Sequence, residues 1–569
     1  MKWRLLSLLS SGAPLLFCGG QGLAATRCED IKQFHGGNAT IDVAERLASP
    51  AAASPLLAKE TGGFPLCRVS GTIAPTPDSQ IRFEVWLPIG DKWNRKFQAV
   101  GNGGLSGALN YRAMLRGFNR GYATMTTDLG HTNKPAGAAE DASWALGHPE
   151  KIIDYAYRGT HLSTQTAKQL VAAFYGTPPT HSYFTGCSAG GIAGLNELLR
   201  FPRDYDGYVV GAATPDHLGQ ELAAMWNTLA ASLASPADAL RPSQIQSIHN
   251  TILRQCAGQS GGAPGDPFLS DPTACAFRPV TLECRPGQDA AVCLTPAQVA
   301  AVDKIYRGPF NPRTGAPIFS GLTPGTELGW DKYFSGKKNP VGTERPWAGF
   351  LVSMVYSDPN YLTEQKYLRF DFDKEHRRIR EMAVASESFD SAWNIANRNL
   401  DVFTAAGGKV IQYHGWDDPN IPALEAIKLY RSVVADKARR HHLSRAEAEA
   451  LTRTFYRLFM VPGMGHCSGG DGPSSFGQGD RSLKADSEHD TLLALEGWVE
   501  RGIAPDKFIG ARLDPKTSEG DMTRPICSWP KVPTWNGSGS TNDASSFTCA
   551  ITSPADQRTT PSIGKGARS

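Results

Sequence analysis

The chain reads as an α/β protein, a core with a mostly parallel sheet and helices on both faces, interrupted by a large inserted lid. Three observations carry that reading. Short apolar runs with strand spacing alternate with helical stretches from about residue 81 to residue 210. The rhythm returns between residues 409 and 499, and the stretch separating the two blocks breaks it. The first block contains Gly186-Cys187-Ser188-Ala189-Gly190, the form of a tight strand-to-helix turn that presents a serine hydroxyl above a sheet.

A chain of 569 residues exceeds what one simple core organises. Its 58 basic and 55 acidic side chains nearly balance, which gives no footprint for nucleic acid or an anionic membrane. Residues 1–25 read as a signal peptide. Lys2 and Arg4 start it, Leu5 to Phe17 is apolar, and Gly22-Leu23-Ala24-Ala25 supplies small residues for cleavage. That apolar run is too short to cross about 30 Å of hydrocarbon. A secreted or periplasmic protein is therefore expected. Of eleven cysteines, Cys18 leaves with the signal, and the even remainder contains no Cys-x-x-Cys pair. In an oxidising compartment this favours disulfides over metal binding.

Taken in order, residues 26–75 hold Cys28 and Cys67 and read as an irregular arm. Ile81 to Leu87 alternates apolar and polar side chains, as a half-buried strand does. Phe97 to Val100 is a second strand and runs into Gly101-Asn102-Gly103-Gly104, whose backbone N–H groups can approach a ligand closely. Tyr122 to Asp128 reads as a strand and Ala156 to Tyr175 as a helix. The serine turn follows, with helical spacing from Ile192 to Arg200 and a strand at Tyr208 to Val210. Residues 214–385 hold Cys256, Cys275, Cys284 and Cys293, many prolines and glycines, and few strand signals. We read this as an inserted lid domain. The α/β pattern resumes with Lys409 to Tyr413, a helix from Pro422 to Val434, a strand at Phe455 to Val461 and a helix from Thr491 to Val499. The expected organisation is a core in two parts, 26–213 and 386–550, with the lid between them and a flexible tail at 551–569.

A serine hydroxyl attacks a carbonyl only when a histidine takes its proton and an acid orients that histidine. On an α/β-hydrolase core the order along the chain is serine, acid, histidine. Two loops that directly follow strands fit. One is His414-Gly415-Trp416-Asp417-Asp418-Pro419, and the other is Pro462-Gly463-Met464-Gly465-His466-Cys467. Four of the thirteen histidines lie beyond the acid loop. His441 and His442 sit among Arg439, Arg440 and Arg445, a solvated face, and His489 is expected to be exposed. That leaves His466 as the base, with His414 shaping its own loop. Asp417 and Asp418 are adjacent, and chemistry alone does not choose between them. Cys187 precedes the serine and Cys467 follows the histidine, so a disulfide between them would tie the two loops together.

These motifs together resemble the tannase and feruloyl esterase family of α/β-hydrolases. That family is marked by a Cys-Ser, Asp, His-Cys constellation with its cysteines bridged, and Arg200-Phe201-Pro202 and Tyr205-Asp206-Gly207 extend the match. The resemblance implies Asp418 as the acid, four residues after the histidine of the His-Gly pair. It implies an oxyanion hole from the N–H groups of Ala189 and Gly103, with Gly104 next. It also implies the pairings Cys28–Cys67, Cys187–Cys467, Cys256–Cys275, Cys284–Cys293 and Cys527–Cys549. The implied activity is that of a secreted serine carboxylic ester hydrolase cleaving small-molecule esters of phenolic, feruloyl-like or galloyl-like acids through an acyl-enzyme. No cofactor is required for it. Lid aromatics such as Trp330, Tyr333 and Phe334 are candidates for the substrate wall, packing of the lid core being the alternative.

The chain departs from the family in two places. Family lids carry a calcium loop rich in aspartate, whereas the run from Cys256 to Asp266 keeps only Asp266, with Asp271 beyond it. A hard cation needs about six oxygens, so a structural calcium is poorly provided for. A relative that hydrolyses terephthalate monoesters has a glutamate after its nucleophile and a lid arginine. Ala189 follows the serine here, and Arg345 near Trp347-Ala348-Gly349 has no match to that arginine. The rival readings are a terephthalate monoester hydrolase of the same family, a non-catalytic binding protein on the same fold, and a redox role for Cys187.

Overall fold

The inner strands of the central sheet are buried on both faces, and its first strand, at the edge, is not. The computed structural model describes residues 27–552 apart from 37, 60–62, 134–141, 233–238, 260, 336–349, 362–363, 365, 387–398, 480–481, 515–516 and 518. The signal at 1–25 with Cys18, residues 553–569 of the expected tail, Arg345 and Trp347 to Gly349 lie outside the described residues. Nine strands make the sheet: β1 (Ala39–Leu47), β2 (Leu66–Ile73), β3 (Ile81–Pro88), β4 (Lys96–Val100), β5 (Ala123–Thr127), β6 (His181–Cys187), β7 (Gly207–Gly211), β8 (Lys409–Gly415) and β9 (Tyr456–Val461). Their spatial order is β1-β2-β3-β5-β4-β6-β7-β8-β9. Pairing is antiparallel from β1 to β5 and parallel from there to β9.

The arm expected to be irregular thus contains two strands, a correction with a physical reason. In β1 only Ile41 is fully buried, because the strand is the sheet edge and carries Thr40, Asp42, Glu45 and Arg46 on a partly wet surface. Such a strand lacks the apolar alternation that would reveal it. Cys28–Cys67 ties the N-terminal turn to β2.

Helices cover both faces: α1 (Tyr111–Phe118), α2 (Pro149–Ile153), α3 (Gly159–Tyr175) and α4 (Ala189–Arg200) precede β7. Adjacent residues of one strand point to opposite faces, and two cores result. Phe184 and Val210 join one cluster, while Tyr183 and Val209 join the other. Between β7 and β8 run α5 (His217–Ser232), α6 (Pro242–Cys256), α7 (Pro296–Arg307), α8 (Phe350–Tyr356), α9 (Glu375–Ala385) and α10 (Asp401–Ala405). This segment builds its own apolar cluster around Ile248, Ile252, Val302, Ile305 and Trp330. Its two disulfides, Cys256–Cys275 and Cys284–Cys293, close short loops. The chain then forms α11 (Leu424–His441), α12 (Arg445–Arg453) and α13 (Thr491–Arg501).

Beyond α13 lie two small antiparallel pairs that the periodicity had not indicated, β10 (Lys507–Leu513) with β11 (Gly520–Cys527) and β12 (Val532–Trp535) with β13 (Phe547–Ala550). Cys527–Cys549 joins the pairs. Arg524 of β11 reaches Asp266, in the loop after α6, at 2.6 Å. Its guanidinium also lies 4.0 Å from the centre of the Phe547 ring. The two charged side chains are 1% and 3% exposed, so each depends on the other for compensation. Burial raises the Asp266 carboxyl, and Arg524 opposes that shift. Replacing the cation alone should therefore cost more than replacing both. We expect Arg524→Met to lower unfolding stability by about 3 kcal/mol in urea titrations. Adding Asp266→Asn should recover part of the loss.

Candidate active site

Strand β6 enters α4 through Ser188, whose backbone adopts φ 60° and ψ −129°. This is a left-handed conformation that a residue with a Cβ adopts only under constraint. The constraint is crowding. A Cβ on Gly186 would sit 2.4 Å from the Gly190 carbonyl oxygen, and one on Gly190 would sit 2.8 Å from that of Asn102. A Cβ on Gly101 would meet the Gly190 Cα at 2.6 Å. The Ser188 N–H donates to the Gly211 carbonyl at 3.0 Å, and the Ser188 carbonyl accepts from Ile192 at 2.9 Å. The side chain is thereby raised clear of the sheet.

The loops after β8 and β9 meet beside it. A Cβ on Gly415 would lie 2.1 Å from the Met464 carbonyl oxygen, and the Asp417 N–H donates to that same oxygen at 3.0 Å. His466 Nδ1 donates to Asp418 Oδ2 at 2.8 Å, which leaves Nε2 to accept the Ser188 hydroxyl at 2.8 Å. Asn420, unremarked in the sequence, places its Nδ2 3.3 Å from His466 Nε2. It follows the acid by two residues, a spacing that is its only sequence signal.

The structure separates the two aspartates. Asp418 is fully buried, and its Oδ1 accepts the N–H groups of Asn420 at 2.8 Å and Ile421 at 3.0 Å. His414 shapes this loop, with Nε2 2.9 Å from the Ile421 carbonyl and 3.3 Å from Asp418 Oδ2. Burial alone would raise the Asp418 carboxyl. His466 and His414 outweigh it and hold the group well below the ordinary carboxylate range. Asp417 has the opposite fate. Its Oδ1 is buried without a hydrogen-bond partner among the described residues. Burial pushes its carboxyl well up, and Glu327 and Asp471 add to the shift. Of the two, Asp418 is the aspartate that hydrogen-bonds His466.

Cys187 and Cys467 are bridged across 280 residues of chain, with their Cα atoms 6.0 Å apart. The other four disulfides are those the family resemblance implied. Ala189 supplies the first N–H of α4, which has no intrahelical acceptor and lies at the positive end of the helix dipole. Gly104 lines a small cavity together with Ser188 and Ala189. Gly103 lines a separate, larger cavity of about 530 Å³ together with Cys187 and Cys467, and a Cβ there would meet nothing within 4 Å. Tyr333 brings its ring centre within 6.1 Å of that of His466. Trp330 and Phe334 are corrections to the substrate-wall reading. They are 0% and 4% exposed within the apolar cluster of the segment between β7 and β8. Trp330 also commits its indole N–H to Thr326 at 3.1 Å. His489 is likewise buried, because β10 pairs over it: the Ile509 N–H donates to the Glu488 carbonyl at 2.8 Å.

The small cavity beside Ser188 has an apolar side, Leu105, Ile192 and Ala224, and a polar side, His217, Gln220 and Glu221. The polar side was not foreseen, since these residues lie in an ordinary-looking helical start. Burial lowers His217 to about 4. A histidine shifted down from its unfolded 6.5 contributes its full stability above pH 6.5 and loses it as the pH falls towards 4. We expect the urea midpoint of His217→Asn to fall less than that of the parent protein over that window. The difference should approach about 1 kcal/mol per pH unit.

Comparison with known proteins bears on what this site belongs to. The sequence profile of the family described as Tannase and feruloyl esterase matches residues 67–550. An uncharacterised esterase of Xanthomonas campestris pv. campestris is 37% identical over 497 residues, 85% of this chain and 84% of that protein. Probable feruloyl esterase B-1 of Aspergillus oryzae is 31% identical over 496 residues, 86% of this chain and 84% of that protein. The crystal structure of feruloyl esterase B from Aspergillus oryzae superposes with a TM-score of 0.78 at 30% identity, over 92% of this chain and 99% of that one. The chain belongs to the tannase and feruloyl esterase family of α/β-hydrolases, and it is a carboxylic ester hydrolase.

Proposed function

We propose that the protein is an exported serine esterase that releases aromatic, phenolic acids of the feruloyl or galloyl type from their esters through an acyl-enzyme. The observation that carries this reading is the continuous relay from Ser188 Oγ through His466 to Asp418, with both links at 2.8 Å. His466 takes the serine proton as Oγ attacks the ester carbonyl, and buried Asp418 stabilises the imidazolium that forms. The N–H of Ala189 and one from the Gly103-Gly104 turn hold the developing oxyanion. Collapse expels the alcohol, which His466 protonates. Water, activated by the same histidine, then releases the acid.

The acyl group enters beside Ser188, where the cavity of about 20 Å³ has room for little more than a water and must widen to admit a ring; Leu105 and Ile192 then face the ring, and Gln220 and Glu221 its hydroxyl substituents. Ring hydroxyls suit those groups better than the terephthalate carboxylate does, since Glu221 would repel it and Ala189 offers no polar side chain. The segment between β7 and β8 acts as the lid, with Tyr333 closing over His466. Five disulfides support export to an oxidising compartment.

The family's lid calcium has no place in this reading. Asp266 is engaged by Arg524 and by the Ala263 N–H at 2.8 Å. Asp271 Oδ1 accepts the Thr273 N–H at 3.1 Å and its hydroxyl at 2.6 Å. These residues do not fit a hard cation that needs about six free oxygens.

Ser188→Ala should lower kcat on a phenolic methyl ester by about 10⁴-fold or more at unchanged melting temperature. A variant that retained parental turnover would end the serine mechanism. On a panel of methyl ferulate, methyl gallate and mono(2-hydroxyethyl) terephthalate, kcat/KM should be higher for the phenolic esters by about tenfold or more. The reverse order would favour the terephthalate reading. Cys187→Ser with Cys467→Ser should cost about 2–5 kcal/mol of stability and lower kcat more than it raises KM, since it loosens the catalytic pair rather than the pocket.

A further inference from the structure

Helix α4 carries a second polar cluster, about 14 Å along its axis from Ser188 at 1.5 Å per residue. Glu197 of α4, His161 of α3 and Asp204 of the loop entering β7 each bring one ligand atom to within 4.8 Å of the others. Glu197 is fully buried, and neither of its carboxylate oxygens has a hydrogen-bond partner among the described residues. A carboxylate taken out of water without donors is costly, and such groups are retained where something compensates them. Lys168 and Arg200 favour the anion by charge alone, too weakly to offset burial, and the Lys168 ammonium donates to the Asp204 carbonyl oxygen rather than to Glu197. The Arg200 Nε is directed to Asn196 Oδ1 at 3.2 Å. The Tyr208 hydroxyl, an electrostatic neighbour of Glu197, is buried and likewise lacks a partner.

The cluster opens to solvent on one side. His161 and Asp204, 2.6 Å apart, have side chains 17% and 15% exposed, while Glu197 forms the floor. The Phe201 ring stacks on His161 at 3.5 Å and fixes the imidazole plane. One aromatic nitrogen and two carboxylates are donors that suit a borderline transition ion better than calcium or magnesium, which prefer oxygen alone.

We propose that His161, Glu197 and Asp204 bind one divalent transition cation, zinc being the best-matched ion, and so tie α3, α4 and the loop entering β7 together beneath the catalytic face. The competing arrangement is a protonated Glu197 that shares its proton with Asp204. Burial favours it by raising the Glu197 carboxyl, with Asp204 adding to the rise. Zinc would displace that proton to solvent.

The test uses the mature full-length protein, stripped with chelator, dialysed and titrated with zinc chloride. At about a hundredfold excess over Kd the melting temperature should rise by about 2 °C. About one equivalent of zinc should then co-elute in gel filtration, as expected for a single structural ion. Glu197→Gln and His161→Gln should each abolish both signals while ester hydrolysis, the folding control, persists. His161 is partly exposed, so its variant remains informative should the buried one fail to fold. No shift in the parent protein overturns the proposal and leaves the shared proton as the account of Glu197. A shift that survives in both variants overturns it as adventitious surface binding.

Discussion

The turn at Ser188 exists because Gly101, Gly186 and Gly190 bring three backbone segments into van der Waals contact, and the upper edge of the sheet is arranged around that contact. Strands β4 and β6 are parallel neighbours, so their C-terminal ends arrive together. Helix α4 must start immediately above them, and a side chain at any of the three positions would hold it off. With the helix seated, the chain has no route from β6 into α4 other than a left-handed residue. That residue is the serine, and the strain at φ 60° is what lifts its hydroxyl towards the loops after β8 and β9.

Those loops settle the division of labour between two neighbouring aspartates. Asp418 is buried and Asp417 half-buried with its Oδ1 out of water, so desolvation raises both carboxyls and does not distinguish them. The surroundings do. Asp418 faces two imidazoles and two backbone N–H groups, all of which favour the anion. Asp417 faces Glu327 and Asp471, which add to the upward push of burial on its carboxyl. The main-chain contact between Gly415 and Met464 fixes which carboxyl points which way. One residue of register in this loop therefore decides which carboxyl His466 meets.

How much of this was legible depended on whether a feature is local in the chain. The parallel strands, the serine turn and the two loops are written in runs of apolar residues and glycines, and the paired cysteines beside Ser188 and His466 named each other. Edge strand β1 was not legible, because its side chains meet water on parts of both faces. The strands after α13 were hidden for a related reason, their burial arising from the contacts of Arg524 with Asp266 and Phe547 rather than from an apolar pattern. Aromatic residues between β7 and β8 could be counted but not aimed. Trp330, Tyr333 and Phe334 are nearly adjacent, yet Tyr333 lies against His466 while the other two fill the apolar cluster of that segment. Asn420 and the polar group at His217, Gln220 and Glu221 become visible only when β8 and α5 are placed beside Ser188.

The Cys187–Cys467 bridge has a meaning beyond proximity. Ser188 and Cys467 both have positive φ, at 60° and 65°, so the turn after β6 and the loop after β9 each carry a strained residue. The bridge runs from the residue before the first strained position to the second strained residue itself. Relaxation at either place would rotate the attached loop, and the covalent link makes one loop's relaxation conditional on the other's. The single Ser188–His466 hydrogen bond resists such drift weakly, because a net hydrogen bond is worth only about 1 kcal/mol. A covalent link holds the separation whether or not that bond is made. The strain at Ser188 and the bridge that limits its excursion are thus complementary: the glycines create the geometry, and the cysteines keep it when the hydrogen bond is gone.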